Sequence, residues 1–251
     1  MENSVLPDWP YPRWIAHRGA GLLAPENTLA AFRLGAQYGY RMFECDAKLS
    51  ADQVVVLLHD ADLARTSNGQ GLAGEHSWAR LSQLDAGRWH SPAYAGEPLG
   101  NLQSLAAFCQ ANGHHLNIEI KPTPGQERHT GERVAEKAAL WWAGHAVLPL
   151  LTSFQAEALV GARATAPHLP RGLLRHQWDD DVLPLAASLA CQALVCHFSL
   201  WTAERVQEAQ QRGLRTLSYT VNEEAMARQL LAWGVDGIIT DRVDLFKPDA
   251  A

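Results

Sequence analysis

WIAHRGAGLLAPENTLAAFRLGAQYGYRMFECDAKLSADQVVVLLHD, residues 14–60, sets two histidines, an arginine and an acidic pair on a pattern of short apolar runs. Trp14-Ile15-Ala16 stops at His17-Arg18-Gly19, which reads as a strand ending in a polar turn. Pro25-Glu26-Asn27-Thr28 supplies a helix start, with Asn27 or Thr28 able to cap the first free amides. Leu29, Phe32 and Ala36 follow on one helical face, and Gly39 ends the helix. Met42 to Ala47 is the next strand, where the two-residue period puts Glu44 and Asp46 on one face and Cys45 on the other. Two carboxylates that close repel each other unless a cation lies between them. After the turn Ala51-Asp52-Gln53, residues 54–58 run as an extended return that carries His59 back towards the acidic pair.

Outward from this stretch, 251 residues with 47% apolar content can bury one large core, and no Pro/Gly/Ser-rich linker or charge run divides the chain. One domain over 1–251 is expected, with 61–113 an insertion and connecting helix inside the second βα connection. A net charge of -6 without basic clusters argues against nucleic acid and against an anionic membrane surface as partners. Residues 1–12 lack the basic and apolar regions of a signal peptide, and no run approaches the ~20 apolar residues that span a bilayer. Cys45, Cys109, Cys191 and Cys196 show no CxxC or metal-ligand spacing, so they read as buried thiols of a cytoplasmic protein. Whether the chain is a monomer or a homodimer stays open.

Further along, a polar, turn-rich excursion (61–100) precedes an amphipathic helix over 102–112. The pattern then becomes regular, with helices over about 126–143, 155–166, 180–189, 203–212 and 223–233 between strands. Strands that each precede a helix fall at 14–17, 42–46, 116–120, 147–152, 172–175, 193–197, 215–219 and 237–240. That alternation, at this length, predicts an α/β fold of the (β/α)8 TIM-barrel type with a small insertion after the second strand. A doubly wound open sheet fits less well, because no glycine-rich dinucleotide fingerprint follows the first strand. Chemistry in such a barrel sits at the carboxyl ends of the strands. His17, Glu44, Asp46, Glu119, Lys121, Ser153, His197, Tyr219 and Asp241 all lie at or just past those ends.

Glu44, Asp46 and Glu119 form an all-oxygen set suited to one hard divalent cation, Mg²⁺ or Ca²⁺, rather than zinc. Alternatively, one of them is only the ion-pair partner of Arg18 or Lys121. His17 and His59 come from different elements, as an acid and a base around one reacting centre require. His90, His114, His129, His145, His168 and His176 read as structural. Arg18 offers a planar donor fork and Lys121 a point charge, and with a metal they fit phosphoryl chemistry.

H-R-G at 17–19, P-E-N-T at 25–28, E-C-D at 44–46, H-D at 59–60, N-I-E-I-K at 117–121, L-T-S-F at 151–154, Y-T-V-N at 219–222 and G-V-D-G-I-I-T-D at 234–241 together resemble the glycerophosphodiester phosphodiesterases, in particular the short bacterial cytoplasmic type. The resemblance implies metal-dependent hydrolysis of a small glycerophosphodiester to sn-glycerol 3-phosphate and an alcohol. It places the metal on Glu44, Asp46 and Glu119, acid/base catalysis on His17 and His59, and phosphate contacts on Arg18 and Lys121. It further implies attack by the glycerol's neighbouring hydroxyl, through a cyclic phosphate that water opens. The chain departs from the family at Gly100-Asn101-Leu102-Gln103, where an Ile-Pro-Thr-Leu-Glu type of run is common, and at Tyr219, where tryptophan is common. Both departures are expected to touch substrate fit rather than chemistry, and Phe154, Phe198, Trp201 and Tyr219 are candidates to line the mouth. The competing functions are a lysophospholipase D-like lipid phosphodiesterase and a non-catalytic glycerophosphodiester-binding protein.

Overall fold

The computed structural model describes Leu6 and residues 8–248. Part of the expectation about a leader over 1–12, and the outer ends of a domain over 1–251, therefore lie outside the described residues. The described strands are β1 (Trp14–Ala16), β2 (Met42–Leu49), β3 (Val55–Leu57), β4 (His115–Ile120), β5 (Leu150–Ser153), β6 (Arg171–Arg175), β7 (Ala193–His197), β8 (Arg215–Tyr219) and β9 (Gly237–Thr240). The helices are α1 (Leu29–Gln37), α2 (Trp78–Leu81), α3 (Leu102–Asn112), α4 (Glu127–Trp141), α5 (Ala156–Thr165), α6 (Val182–Ser188), α7 (Ala203–Gln211) and α8 (Glu224–Ala232).

All strands but β3 are parallel and close into a ring, because β1 bonds β9 on one side (Ala16 beside Thr240) and β2 on the other (Ala16 beside Phe43). This is the (β/α)8 barrel. β3 pairs antiparallel with β2 outside the ring, Lys48 opposite Val56, and the Leu58 amide still bonds Asp46 O at 3.0 Å. The helix ends follow local chemistry. Thr28 Oγ1 accepts from Ala31 N to start α1, Asn101 Oδ1 accepts from Ser104 N to start α3, and Gly113 in a left-handed conformation stops α3.

Strand alternation divides the core into two sides of the barrel wall. Phe43, Cys45 and Ala47 of β2 pack outward with Phe32, Leu105 and Val134 under the helices. Inside, Ile15, Met42, Leu150, Leu174, Val195, Leu217 and Ile239 pack into an apolar cluster beneath the charged levels. Each such fully buried side chain contributes about 1.5–3 kcal/mol. Leu63, Ala73, Leu81, Ala86 and Leu99 of the insertion pack on Val56 and Leu58 of the hairpin return, and without this small cluster the short α2 could not be stable.

Two sequence expectations change. The strand placed at 147–152 runs from Leu150 to Ser153, since Pro149 has no amide to give to a ladder. No helix follows β9 among the described residues. The chain makes one turn there, in which the Leu245 and Phe246 amides share Arg242 O, and Phe246 stacks on Trp14 at 4.7 Å.

Candidate active site

The acidic set follows from register. Asp46 on β2 stands beside Glu119 on β4, and Glu44 stands beside Asn117 one level deeper. All three carboxylates point into the ring, and each offers an oxygen within 4.8 Å of the others. Glu44 and Asp46 are buried, yet Glu44 Oε1 and Asp46 Oδ1 have no hydrogen-bond donor. Glu44 Oε2 accepts from the Arg18 amide at 3.0 Å, while Asn27 Nδ2 donates to Asp46 Oδ2 at 2.8 Å and Asn27 Oδ1 accepts from Asp46 N at 3.0 Å. Both Arg18 (φ 49°) and Asn27 (φ 61°) are held in the left-handed region to make these bonds. Such strain persists only where surrounding structure imposes it.

Burial, and after it the charge of Asp46, pushes the Glu44 carboxyl well above the usual range. The same two causes in the same order raise Glu119. Burial acts to raise Asp46 too, but the charges of Arg18 and Lys121 outweigh it and hold the group low. Free buried oxygens on crowded carboxylates are costly without a counter-charge. A hard divalent cation is the group this donor set fits.

Cations stand around the set. Arg18 Nε lies 3.1 Å from Asp46 Oδ2 and its Nη1 donates to Glu26 Oε1 at 2.9 Å, while Lys121 Nζ lies 2.9 Å from Glu119 Oε1 and 3.7 Å from Asp46 Oδ1. The ion-pair alternative for these carboxylates is thus present beside the orphaned oxygens.

Each histidine is held by a carboxylate at Nδ1. His17 Nδ1 lies 2.6 Å from Asp241 Oδ1, and its Nε2 lies 3.8 Å from Glu44 Oε2. His59 Nδ1 lies 2.7 Å from Asp60 Oδ1. Asp241 and Asp60 are both pulled below the usual carboxyl range, so each accepts, and the imidazole hydrogen belongs on Nδ1. That leaves both Nε2 atoms for proton transfer. For His17, burial opposes the charged form, but the Asp241 bond and the Glu44 charge prevail and raise the pKa. For His59, burial is the largest cause and lowers it, with Arg18 and Lys121 adding to the shift.

The hairpin return brings His59 to a cleft of about 590 Å³ at the barrel mouth, lined also by Lys48, Glu119, Lys121, Phe154, His176 and Tyr219 among others. Tyr219 shows its ring to the cleft, since its hydroxyl donates to Arg175 O at 3.0 Å. Phe154 lines the cleft as well, with Lys121 Nζ 5.6 Å from its ring centre. Trp201 does not line it: this side chain is buried in the outer core and its indole donates to Leu217 O. Phe198 packs against that same outer core. His176, expected to be structural, faces the cleft because it lies one residue past β6, the position the strand-end rule favours.

Four further residues take roles that the sequence pattern does not assign. Asp241 stands at a strand end with no partner visible in the sequence, and Asn27 reads there only as a helix cap. Lys48, on the face of Glu44 and Asp46 by the same two-residue period, donates from Nζ to Lys121 O at 3.0 Å. Arg65 gives no signal at all. Gly100, one of the two departures, also lies nearer the chemistry than expected: a Cβ there would sit 2.5 Å from the backbone oxygen of Asn27, whose side chain holds Asp46.

A sequence model described as the glycerophosphoryl diester phosphodiesterase family matches residues 17–245. The chain belongs to that family. YhdW of Bacillus subtilis is 31% identical over 243 residues, covering 94% of this chain and 96% of that protein. A glycerophosphodiester phosphodiesterase of the same organism is 30% identical over 247 residues, covering 92% and 84%. The solved structure of an Oleispira antarctica phosphodiesterase in complex with the product sn-glycerol-3-phosphate superimposes with a TM-score of 0.85 at 34% identity, covering 92% of this chain and 93% of that one. Family membership makes the chain an enzyme of the phosphodiesterase class, and no described helix is long and apolar enough to cross a membrane.

Proposed function

We propose that this phosphodiesterase hydrolyses small glycerophosphodiesters to sn-glycerol 3-phosphate and an alcohol, with a divalent cation, Mg²⁺ or Ca²⁺, held by Glu44, Asp46 and Glu119. The observation that carries the reading is the pair of carboxylate-held histidines beside three converging carboxylates, two of which, Glu44 and Asp46, keep a buried oxygen without a donor. The bound cation would neutralise phosphoryl charge and make the phosphorus easier to attack. Arg18 and Lys121 supply positive charge for the non-bridging oxygens, and the rings of Tyr219 and Phe154 give the glycerol or the alcohol an apolar wall.

One histidine takes the proton of the glycerol's neighbouring hydroxyl as its oxygen bonds phosphorus, and the other gives a proton to the departing alcohol oxygen as that P–O bond breaks. The resulting cyclic phosphate is opened by water with the two roles reversed. An internal hydroxyl is favoured over a protein nucleophile by what lines the cleft. Ser153 there donates to Ile120 O and accepts from Gln155 N, and no cysteine faces it. The four cysteines are free and buried, which supports a cytoplasmic setting.

The test is release of glycerol 3-phosphate from glycerophosphocholine, glycerophosphoethanolamine and glycerophosphoglycerol, and of lysophosphatidic acid from a lysophosphatidylcholine, with Mg²⁺, with Ca²⁺ and with excess chelator. Metal-dependent release from the short diesters is the expected result. Release only from the lysolipid would transfer the assignment to a lipid phosphodiesterase. Binding of the diesters without turnover under any metal condition would leave a binding protein.

A further inference from the structure

Arg65 lies on a turn of the insertion, two residues after Leu63, which is buried in the apolar cluster between the insertion and the hairpin return, and three after Asp62, whose carboxylate accepts from Ala64 N at 2.7 Å. From that anchored turn its guanidinium reaches the barrel mouth. Nη1 donates to Glu26 Oε2 at 2.8 Å, Nη2 to Glu26 Oε1 at 2.7 Å, and Nε to Asp60 Oδ2 at 2.5 Å. Both carboxylates act on candidate catalytic groups. Asp60 holds His59 through its other oxygen, and Glu26 Oε1 also accepts from Arg18 Nη1, the arginine beside Asp46. One planar fork therefore joins two branches, one ending on the imidazole and the other on the phosphate-side arginine and the acidic set.

Resting on the reading above, we propose that Arg65 is a positioning residue: by bridging Asp60 and Glu26 it fixes the His59 ring relative to Arg18, and so couples the insertion to the chemistry of the barrel. A direct contact with substrate is disfavoured by the same geometry. Nε, Nη1 and Nη2 each already donate to a carboxylate, and two carboxylates flank the single positive charge. The planar shape matters, because an ammonium could satisfy Asp60 or Glu26 but could not span both in the same way. The insertion then has a mechanical role. The apolar cluster it shares with the hairpin return holds the turn, the turn holds Arg65, and Arg65 holds the two carboxylates that orient His59 and Arg18.

The test compares Arg65→Ala and Arg65→Lys with the unaltered enzyme, using glycerophosphodiester turnover and the ¹⁵N imidazole spectrum of His59. Arg65→Ala is expected to lower kcat by about 10–100-fold with KM changed by less than about threefold, the size usual for partners that orient a reacting group. Arg65→Lys should recover part of that loss. Asp60→Ala should cost much less in the Arg65→Ala background than alone, since both substitutions release the same ring. In the spectrum, the Nδ1-protonated form of His59 should give way to a tautomer mixture when Arg65 is removed. An unchanged kcat, a rise in KM alone, full additivity with Asp60→Ala, or an unchanged imidazole spectrum would each overturn the assignment. If Arg65→Ala does not fold, Arg65→Lys carries the same kcat and spectral readouts. If the unaltered enzyme turns over no diester, the proposed function fails, and the spectrum still decides the positioning role separately.

Discussion

The two histidine–aspartate pairs solve one problem by different routes. His17 and Asp241 are 224 positions apart and meet only because β1 and β9 are neighbours where the barrel closes, with Ala16 beside Thr240. Asn222 completes that pair from the loop after β8, donating to Asp241 Oδ2 and accepting from Asp241 N. Gly21 permits the close fit, since a Cβ there would lie 2.1 Å from the Asp241 carbonyl oxygen. His59 and Asp60 are adjacent in sequence, stand on the antiparallel return outside the ring, and depend on Arg65 of the insertion. One half of the proposed acid/base machinery is thus part of barrel closure, and the other is attached to it. Damage to the first should lower stability as well as turnover, whereas damage to the second should fall mainly on turnover.

The largest expected effects test whether both halves are needed at all. His17→Ala and His59→Ala should each reduce glycerol 3-phosphate release by about 10²–10⁴-fold, the range of a lost acid or base. Circular dichroism should show both variants folded. Turnover within tenfold of the unaltered enzyme in either one would remove that histidine from the pair. A smaller effect separates the two routes. Asp241→Asn and Asp60→Asn should each cost about 10–100-fold in kcat by releasing an imidazole. Only Asp241→Asn should also lower the thermal midpoint clearly, because it disturbs bonds that tie β1, the loop after β8 and β9 together. Equal midpoints for the two would mean that barrel closure does not depend on the partly buried His17–Asp241 pair.

The same contrast explains what the sequence discloses. The ring of parallel strands, the inward face of β2 and the return of His59 all follow from short-range periodicity, so Glu44, Asp46 and Glu119 group together on sequence pattern alone. His176 and Lys48 are open to the same rules, one as a residue just past a strand and the other two positions beyond Asp46, but neither falls in a motif. The Asp241 role is less direct: a closed barrel makes the first and last strands neighbours, but nothing in either segment says that the Asp241 carboxylate turns to the His17 ring. Arg65 is further still. It sits in a turn-rich stretch with no period, and its importance arises from three donors meeting two carboxylates supplied by separate loops.

The smallest effect is a difference in slope with pH. In the metal-free protein, the raised pKa of His17 means that the folded state holds this proton more tightly than the unfolded chain, where histidine titrates near ~6.5. Its stabilisation is fully present below about pH 6.5 and is lost as pH rises through the higher folded value. The lowered pKa of His59, caused first by burial, works the other way. The unfolded chain takes up that proton more readily, so stability falls as pH drops from about 6.5 through the lower folded value. With chelator present, the thermal midpoint lost in His17→Ala should therefore be greatest near about pH 5.5 and shrink towards about pH 8.5. The difference for His59→Ala should move in the opposite direction, with the variant gaining on the unaltered protein as pH falls. Parallel slopes would mean that the closure-built and insertion-held histidines share one electrostatic environment. Opposite slopes would show that the barrel favours the charged form of one imidazole and the neutral form of the other, the condition under which an acid and a base can coexist at one pH.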